Sequence, residues 1–401
     1  MSAPLPRPSA WRAIAAATAL NAPLGSLYAF SVFLQPLEAL LGVRRADLAL
    51  VFALASAGFG TGMNLAPSLY GVASTTTLLF ACAATSALGV TLAASAGGVA
   101  QLAIGYGVLF GLGGGAAYIL VQQVVNLAVT RRHGLVNGYL VALYPAGAMV
   151  AAPVFGWAIH RLGVRATLAG LAGTLLVTGL AGAWLIARSG VALTAARGAT
   201  VPLDDAERRR AVFWRLWIVF FLAASAGLMV LSQAAGIIVA YGGALSLAVF
   251  GTTFISATIA AARLGGGWMV DWLAIPTVAA GAHALALAGD VGLTLWPGPV
   301  VSVFALALVG LGYGLISGVT AASVAVYWRR ALYGRMASRL YLAWTAAAFV
   351  LPIAAGRLFD LTQGYAAAVL IAGACNALGL VFALGLPRRD VVKGEPRPEP
   401  S

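Results

Sequence analysis

Read for polarity alone, the chain is a series of apolar stretches separated by short polar or charged segments. Twelve such runs fall near 13–37, 46–69, 76–96, 99–128, 135–158, 166–187, 213–240, 244–272, 277–296, 299–326, 338–359 and 365–386. At about 1.5 Å of rise per residue, runs of roughly 20 residues span about 30 Å of hydrocarbon. A helix is the element that satisfies its own backbone there. The pattern predicts an all-α integral membrane protein with twelve transmembrane helices. The first run is too long for a secretory signal and lacks a small-residue cleavage pattern, so it is expected to be the first spanning helix.

Composition agrees. Hydrophobic residues make up 61% of the 401 residues, charged residues 9%, and mean hydropathy is +0.95. A soluble domain with that profile would expose mostly apolar surface. The net charge of +13 would suit nucleic acid if it formed one patch. Instead, of the 24 Lys and Arg residues, Arg44, Arg45, Arg161, Arg165 and Arg357 fall on one side of the predicted membrane and Arg263 falls inside a run. All the others lie on the opposite side. This positive-inside bias predicts cytoplasmic termini, with the lipid bilayer rather than nucleic acid as the large partner. The Arg-, Ala- and Gly-heavy composition hints at a bacterial host and hence the inner (plasma) membrane.

Enzymatic chemistry has little to stand on. Cys82 and Cys375 lie within apolar runs and are expected to pack there. The sequence has no His/Cys cluster at metal spacing, no phosphate loop and no Ser/His/Asp pattern, so neither an enzyme nor a bound metal or cofactor is expected. The glycines of Gly105–Gly115 and Gly265–Gly267 sit inside predicted spans, where close helix approach accounts for them.

Arg263 is the informative residue. It lies 8 residues before Asp271, at the end of its run, roughly 12 Å into the bilayer. A buried Arg at such depth costs at least about 2.5–3.5 kcal/mol, and no acidic residue lies within a helical turn to offset it. A mobile anion is the natural counter-charge, which points to a carrier for anionic solutes. The competing reading is structural: Arg263 braces its helix on neighbouring carbonyls or extends toward the interface.

Two halves are visible. The polar interval 188–212 separates six runs (1–187) from six more (213–386), with a Pro- and charge-rich tail at 387–401 expected to be disordered. Gly105-Tyr106-Gly107 is repeated as Gly312-Tyr313-Gly314, and Pro153/Gly156 as Pro352/Gly356. Tyr144 and Trp344 occupy matching places. Duplicated halves around a midplane site describe a rocking carrier.

The chain resembles the major facilitator superfamily and, within it, the oxalate/formate antiporter-like branch beside the monocarboxylate transporters. The resemblance rests on Tyr28–Phe33, Gly111–Tyr118, Arg131–Gly138, Phe213–Trp217 leading to Ala226–Gln233, Arg263 with Gly267 and Asp271, and Asp360–Tyr365. It implies alternating access in a monomer, with a substrate carboxylate against Arg263 and a cytoplasmic gate at Gly267 and Asp271. The corresponding motif of the first half, Ser68–Ser74, lacks charge. The resemblance also places Tyr28, Tyr118, Tyr144 and Tyr313 along the cavity. Gln35 and Gln233 are cavity contacts or interhelical hydrogen bonds.

Departures from the pattern narrow the substrate. Oxalate carriers place a second cation, a Lys, where this chain has Trp344, and its single Lys is Lys393 in the tail. One fixed cation suits one carboxylate, so a small organic monocarboxylate is expected in place of oxalate. Where proton-coupled relatives carry an Asp one turn before the Arg, this chain has Ile259. His283 is expected to be a satisfied interhelical residue and Asp290 a solvated one near the outer interface. Rival readings are an exporter of hydrophobic drugs or weak acids with Arg263 structural, and a transporter-like sensor or channel.

Overall fold

The computed structural model describes residues 9–193 and 203–388. Twelve helical spans, numbered here in chain order, are long and apolar enough to cross a membrane. They are α1 (Ala10–Leu41), α2 (Asp47–Leu69), α3 (Thr75–Ala94), α4 (Val99–Ala128), α5 (His133–Leu162), α6 (Val164–Ala187), α7 (Arg209–Ala240), α8 (Ser246–Trp272), α9 (Ile275–Leu295), α10 (Pro299–Tyr327), α11 (Arg330–Phe359) and α12 (Ala366–Leu384). The hydropathy runs thus meet a helix each. Helix extends back from α7 to Leu203, so the end of the interval read as linker is already helical. The middle of that interval and nearly all of the tail lie outside the described residues.

Local chemistry sets several boundaries. Ser74 caps α3 by accepting a hydrogen bond from the Thr77 N–H at 3.1 Å. Proline lies in the first turns of α9 and α10, where its missing N–H costs nothing. Gly42 ends α1 at φ 63° and Gly163 turns α5 into α6 at φ 86°, both backbone conformations that disfavour a side chain. Two spans are irregular. Within α1, Gly25–Phe33 is wound as a 3₁₀ helix, and within α4, Ala103–Phe110 is wound as a π helix. Gly25 packs directly on the Tyr144 backbone of α5, which leaves no room for a Cβ.

The packing repeats between halves. In the first, α1 packs on α4, α5 and α6, α2 on α4, and α3 on α4 and α6. In the second, α7 packs on α10, α11 and α12, α8 on α10, and α9 on α10 and α12. The same scheme six helices later is the signature of a pseudo-symmetric duplication. The halves meet where α5 packs on α8 and α10, and where α11 packs on α2 and α4. Glycine permits the closest approaches: Gly58 and Gly62 of α2 lie against the α4 backbone, and Gly134 and Gly138 of α5 against Arg263 and Gly267 of α8.

The start of α1, the end of α6 and the end of α12 share one end of the bundle, called here the linker end. Ser9 N–H donates to Ser189 O, Arg12 to Arg188 O, and Tyr327 Oη to Pro387 O. Bonds between halves gather there. Asp271 accepts the Gly134 and Leu135 N–H groups, each at 2.8 Å, and Asn64 Nδ2 donates to Ser338 O at 3.0 Å. Gln123 brackets the first turn of α11, donating to Arg330 O at 2.9 Å and accepting the Gly334 N–H. Burial follows the same gradient: α5 is buried at nine positions from Gly134 to Gly147 but afterwards only at Phe155 and Ala158. The halves are shut at the linker end and diverge toward the opposite one.

Candidate functional site

Arg263 lies in the α5–α8 seam at mid-bundle and is only 5% exposed. Its Nη1 donates to Val141 O on α5 at 3.1 Å, and its Nη2 donates to Tyr313 Oη on α10 at 2.9 Å. Nε has no hydrogen-bond partner among the described residues. The Tyr28 hydroxyl is a further neighbour of the guanidinium, so the oxygens that engage its N–H groups among the described residues are all neutral. The salt bridge found among the described residues, Arg44–Asp47 at 3.3 Å, sits at the exposed start of α2 and leaves Arg263 unneutralised.

Around the guanidinium lies a small cavity of about 40 Å³, lined by Leu27, Tyr28, Phe59, Met63, Tyr118, Val141, Tyr144, Phe220, Arg263, Tyr313, Ser317, Tyr341 and Trp344. Tyr313 organises one wall, because its hydroxyl accepts from both Arg263 and the Trp344 indole N–H, the latter at 3.0 Å. The Arg263 Cζ lies 5.3 Å from the Tyr313 ring centroid and 5.9 Å from that of Tyr28, within the range of cation–π attraction. Tyr144 packs edge-on to both Tyr28 and Tyr118, at 5.9 and 5.1 Å between centroids, which closes the ring of aromatics. A single cation at the end of an aromatic chamber is suited to hold one small anion with an apolar or lightly polar body.

The structure brings together Arg263, Trp344, Tyr28, Tyr118, Tyr144 and Tyr313 from six different helices. Gln35 and Gln233 are elsewhere. Gln35 is exposed near the far end of α1, beside Ser31, Pro36 and His160, because it lies two turns beyond Tyr28 and past the cavity. Gln233 accepts from Tyr365 Oη, in the connection just before α12, at 3.3 Å. Gly267 and Asp271 form the linker-end contact with α5 described above. Asp290 departs from expectation: it is 4% exposed and bonded to Asn376, because α12 covers that face of α9.

Tyr341, Ser317, Phe59 and Phe220 also line the cavity and escaped the sequence reading. Tyr341 had a signal, since it stands three residues before Trp344 and so on the same helical face. The two phenylalanines had none, because an aromatic on an apolar helix looks alike whether it faces lipid or a cavity. The repeated Gly-Tyr-Gly motifs also diverge. Tyr313 reaches Arg263, whereas Tyr106 packs between Phe30 and Phe110, its hydroxyl without a hydrogen-bond partner among the described residues.

Duplicated six-helix halves enclosing a polar-headed midplane chamber define a membrane transporter. A sequence profile of the Major Facilitator Superfamily matches residues 14–350, and the chain belongs to that superfamily. It is 26% identical over 297 residues to the Escherichia coli (strain K12) "Uncharacterized MFS-type transporter YhjX", covering 73% of this chain and 74% of that one. Among solved structures, it shares the fold of the proton:xylose symporter XylE bound to 6-bromo-6-deoxy-D-glucose, at TM-score 0.73 and 14% identity, with 94% of this chain and 96% of that one covered. It also shares the fold of the transporter FucP in the outward conformation, at TM-score 0.69 and 16% identity over 94% and 98%. The protein is thus a multi-pass membrane transporter rather than an enzyme.

Proposed function

We propose that this transporter carries small organic monocarboxylates across the bacterial inner membrane, both termini cytoplasmic, with the substrate carboxylate bound by Arg263. One observation carries the reading: a guanidinium nine-tenths buried at mid-bundle has only neutral oxygens as partners among the described residues, a carbonyl and tyrosine hydroxyls, keeps Nε unengaged, and faces an aromatic chamber. A carboxylate there gains charge-assisted hydrogen bonds in a low-dielectric setting and removes the cost of an uncompensated cation. The same logic links binding to movement. Closing both ends around an unpaired cation is costly, and closing them around a neutralised one is less so.

The chamber argues for one carboxylate rather than two, since Trp344 stands where a second cation would be needed. Under this reading the linker end is cytoplasmic, and the closed seam at Asp271 is the inner gate.

The Arg263–Val141 bond favours one other reading, in which Arg263 braces α8 on α5 and the solutes are hydrophobic drugs or weak acids. The two separate in a thermal-shift screen of the purified protein against formate, acetate, lactate, pyruvate and oxalate, run beside Arg263→Gln. Stabilisation by a monocarboxylate that disappears in the variant is the expected result. A response to none of them, or one indifferent to Arg263, would assign Arg263 to bracing.

A further inference from the structure

The second half holds a polar line that the central chamber does not use. On α9, His283 and Asp290 stand seven residues apart, two helical turns along one face and about 10 Å in axial distance. Asn376 of α12 bridges them. Its Nδ2 donates to Asp290 Oδ2 at 2.8 Å, and its Oδ1 lies 3.1 Å from His283 Nδ1. All three are buried, at 4%, 1% and 0% exposure for Asp290, Asn376 and His283. The amide thus touches His283 at Nδ1, and Nε2 lies on the other side of the ring. That Nε2 has no hydrogen-bond partner among the described residues.

The fold makes room for this line. Gly379 of α12 lies directly against the imidazole, where any Cβ would collide with the ring, and Gly373 lies beside the Asp290 carboxyl. The imidazole also faces the Val219 backbone of α7, one residue before Phe220, which lines the central chamber. The polar line therefore runs from near the far end of α9 to the back of the chamber wall.

Charge decides what the line holds. Cys375 of α12 and, through Asn376, His283 are the titratable groups that face Asp290. Of the other helices packed on α9, α10 offers only Tyr313 and Tyr327 as titratable residues, and α8 meets α9 weakly, at their connecting turn. The titratable residues of α7, on the His283 side, are Arg209, Arg210 and Arg215, all toward the linker end. No cation is in contact with Asp290 among the described residues. A carboxylate held by one neutral amide in an apolar bundle is stabilised by taking up a proton instead. Transferring that proton to His283 would leave two buried ions with only an amide between them, so the neutral arrangement is favoured.

We propose that Asp290, Asn376 and His283 form a proton-binding site outside the substrate chamber, with Asp290 holding the proton at neutral pH and His283 sensing its presence through the Asn376 amide. Deprotonating Asp290 turns Asn376 into a donor to a full negative charge, and the change reaches the α7 wall of the chamber through the imidazole. The second half thereby gains a pH-sensitive element independent of Arg263. It does not rest on the identity of the transported solute.

Infrared difference spectroscopy of the purified full-length protein, titrated from acidic to alkaline pH without added solute, tests this directly. A protonated-carboxyl C=O band is expected at neutral pH, shifted by deuteration, absent in Asp290→Asn, and moved in frequency in Asn376→Leu and His283→Gln. The absence of that band from the wild-type protein at neutral pH, or its persistence in Asp290→Asn, would overturn the site. A band unmoved in both other variants would overturn the shared line. The wild-type titration alone decides the first point, should a variant fail to fold.

Discussion

Asp271, the last acid of α8, caps the first turn of α5 by accepting the Gly134 and Leu135 N–H groups at 2.8 Å each, and so ties one half of the transporter to the other. The other seam between the halves, where α11 meets α2 and α4, is closed by neutral groups: the Asn64 amide on Ser338 O, and the Gln123 amide on Arg330 O and the Gly334 N–H. Neutral hydrogen bonds contribute about 0.5–1.5 kcal/mol each and those to charged groups about 1.5–3 kcal/mol. The α5–α8 seam is therefore the stronger of the two latches.

Replacing Asp271 by Ala is expected to weaken the closed linker end by about 2–4 kcal/mol, since both N–H groups lose a charged acceptor. A single cysteine at Ser338, 1% exposed where α11 meets α2 at the same closed end, reports opening of that end once Cys82 and Cys375 are replaced. Its labelling by a thiol reagent should accelerate in Asp271→Ala. Unchanged labelling would show that the cap does not hold the seam.

Glycine substitutions should divide sharply by location. A Cβ at Gly267 meets the Gly134 carbonyl and the Gly138 backbone, whereas Gly170 and Gly281 face open space. Gly267→Ala is expected to cost about 1–3 kcal/mol in overpacking, and Gly170→Ala or Gly281→Ala to be neutral or stabilising by up to about 1 kcal/mol. Thermal unfolding in detergent ranks the three variants.

Tyr313→Phe removes the hydroxyl that accepts from both Arg263 and Trp344. Arg263 then loses one of its anchors, and the indole N–H is left bare in an apolar wall. Monocarboxylate affinity is expected to fall about tenfold, or about 1.4 kcal/mol, through loss of positioning rather than of charge. Titration calorimetry with the solute found in the thermal-shift screen measures it. Tightened binding would mean that Tyr313 competes with substrate for the guanidinium.

Trp344→Lys adds a second cation within the chamber. Oxalate, with two carboxylates, should then stabilise the protein in a thermal-shift assay, while the unliganded variant becomes less stable than wild type through repulsion between buried cations. An oxalate response in the wild type equal to that in the variant would contradict the one-carboxylate reading.

The helices were legible because bilayer thickness imposes one length and one polarity on each span, and the chain has few charges to blur the edges. Arg263 was legible for the same reason: a cation amid apolar residues has to be accounted for. The fate of the intramembrane polar groups was harder to read, because it depends on neighbours remote in sequence. Asp290 is buried by Asn376, 86 positions later, and Gln233 is drawn away from the chamber by Tyr365, 132 positions later. Gln35 lies outside the chamber, since sharing a helix with Tyr28 says nothing about depth.

The 3₁₀ winding of Gly25–Phe33 in α1 carries Tyr28 on a stretch of backbone that is longer and thinner than an α-helix would be. At about 2.0 Å per residue against 1.5 Å, its nine residues are extended by about 4–5 Å, and each turns about 20° further than in an α-helix. Rewinding this stretch would draw the far end of α1 inward like a retracting screw, swinging the Tyr28 ring across the face of Arg263 as it turned. The first helix thus holds about 4–5 Å of length beyond an α-helix of the same nine residues, in the segment that carries Tyr28 to the chamber.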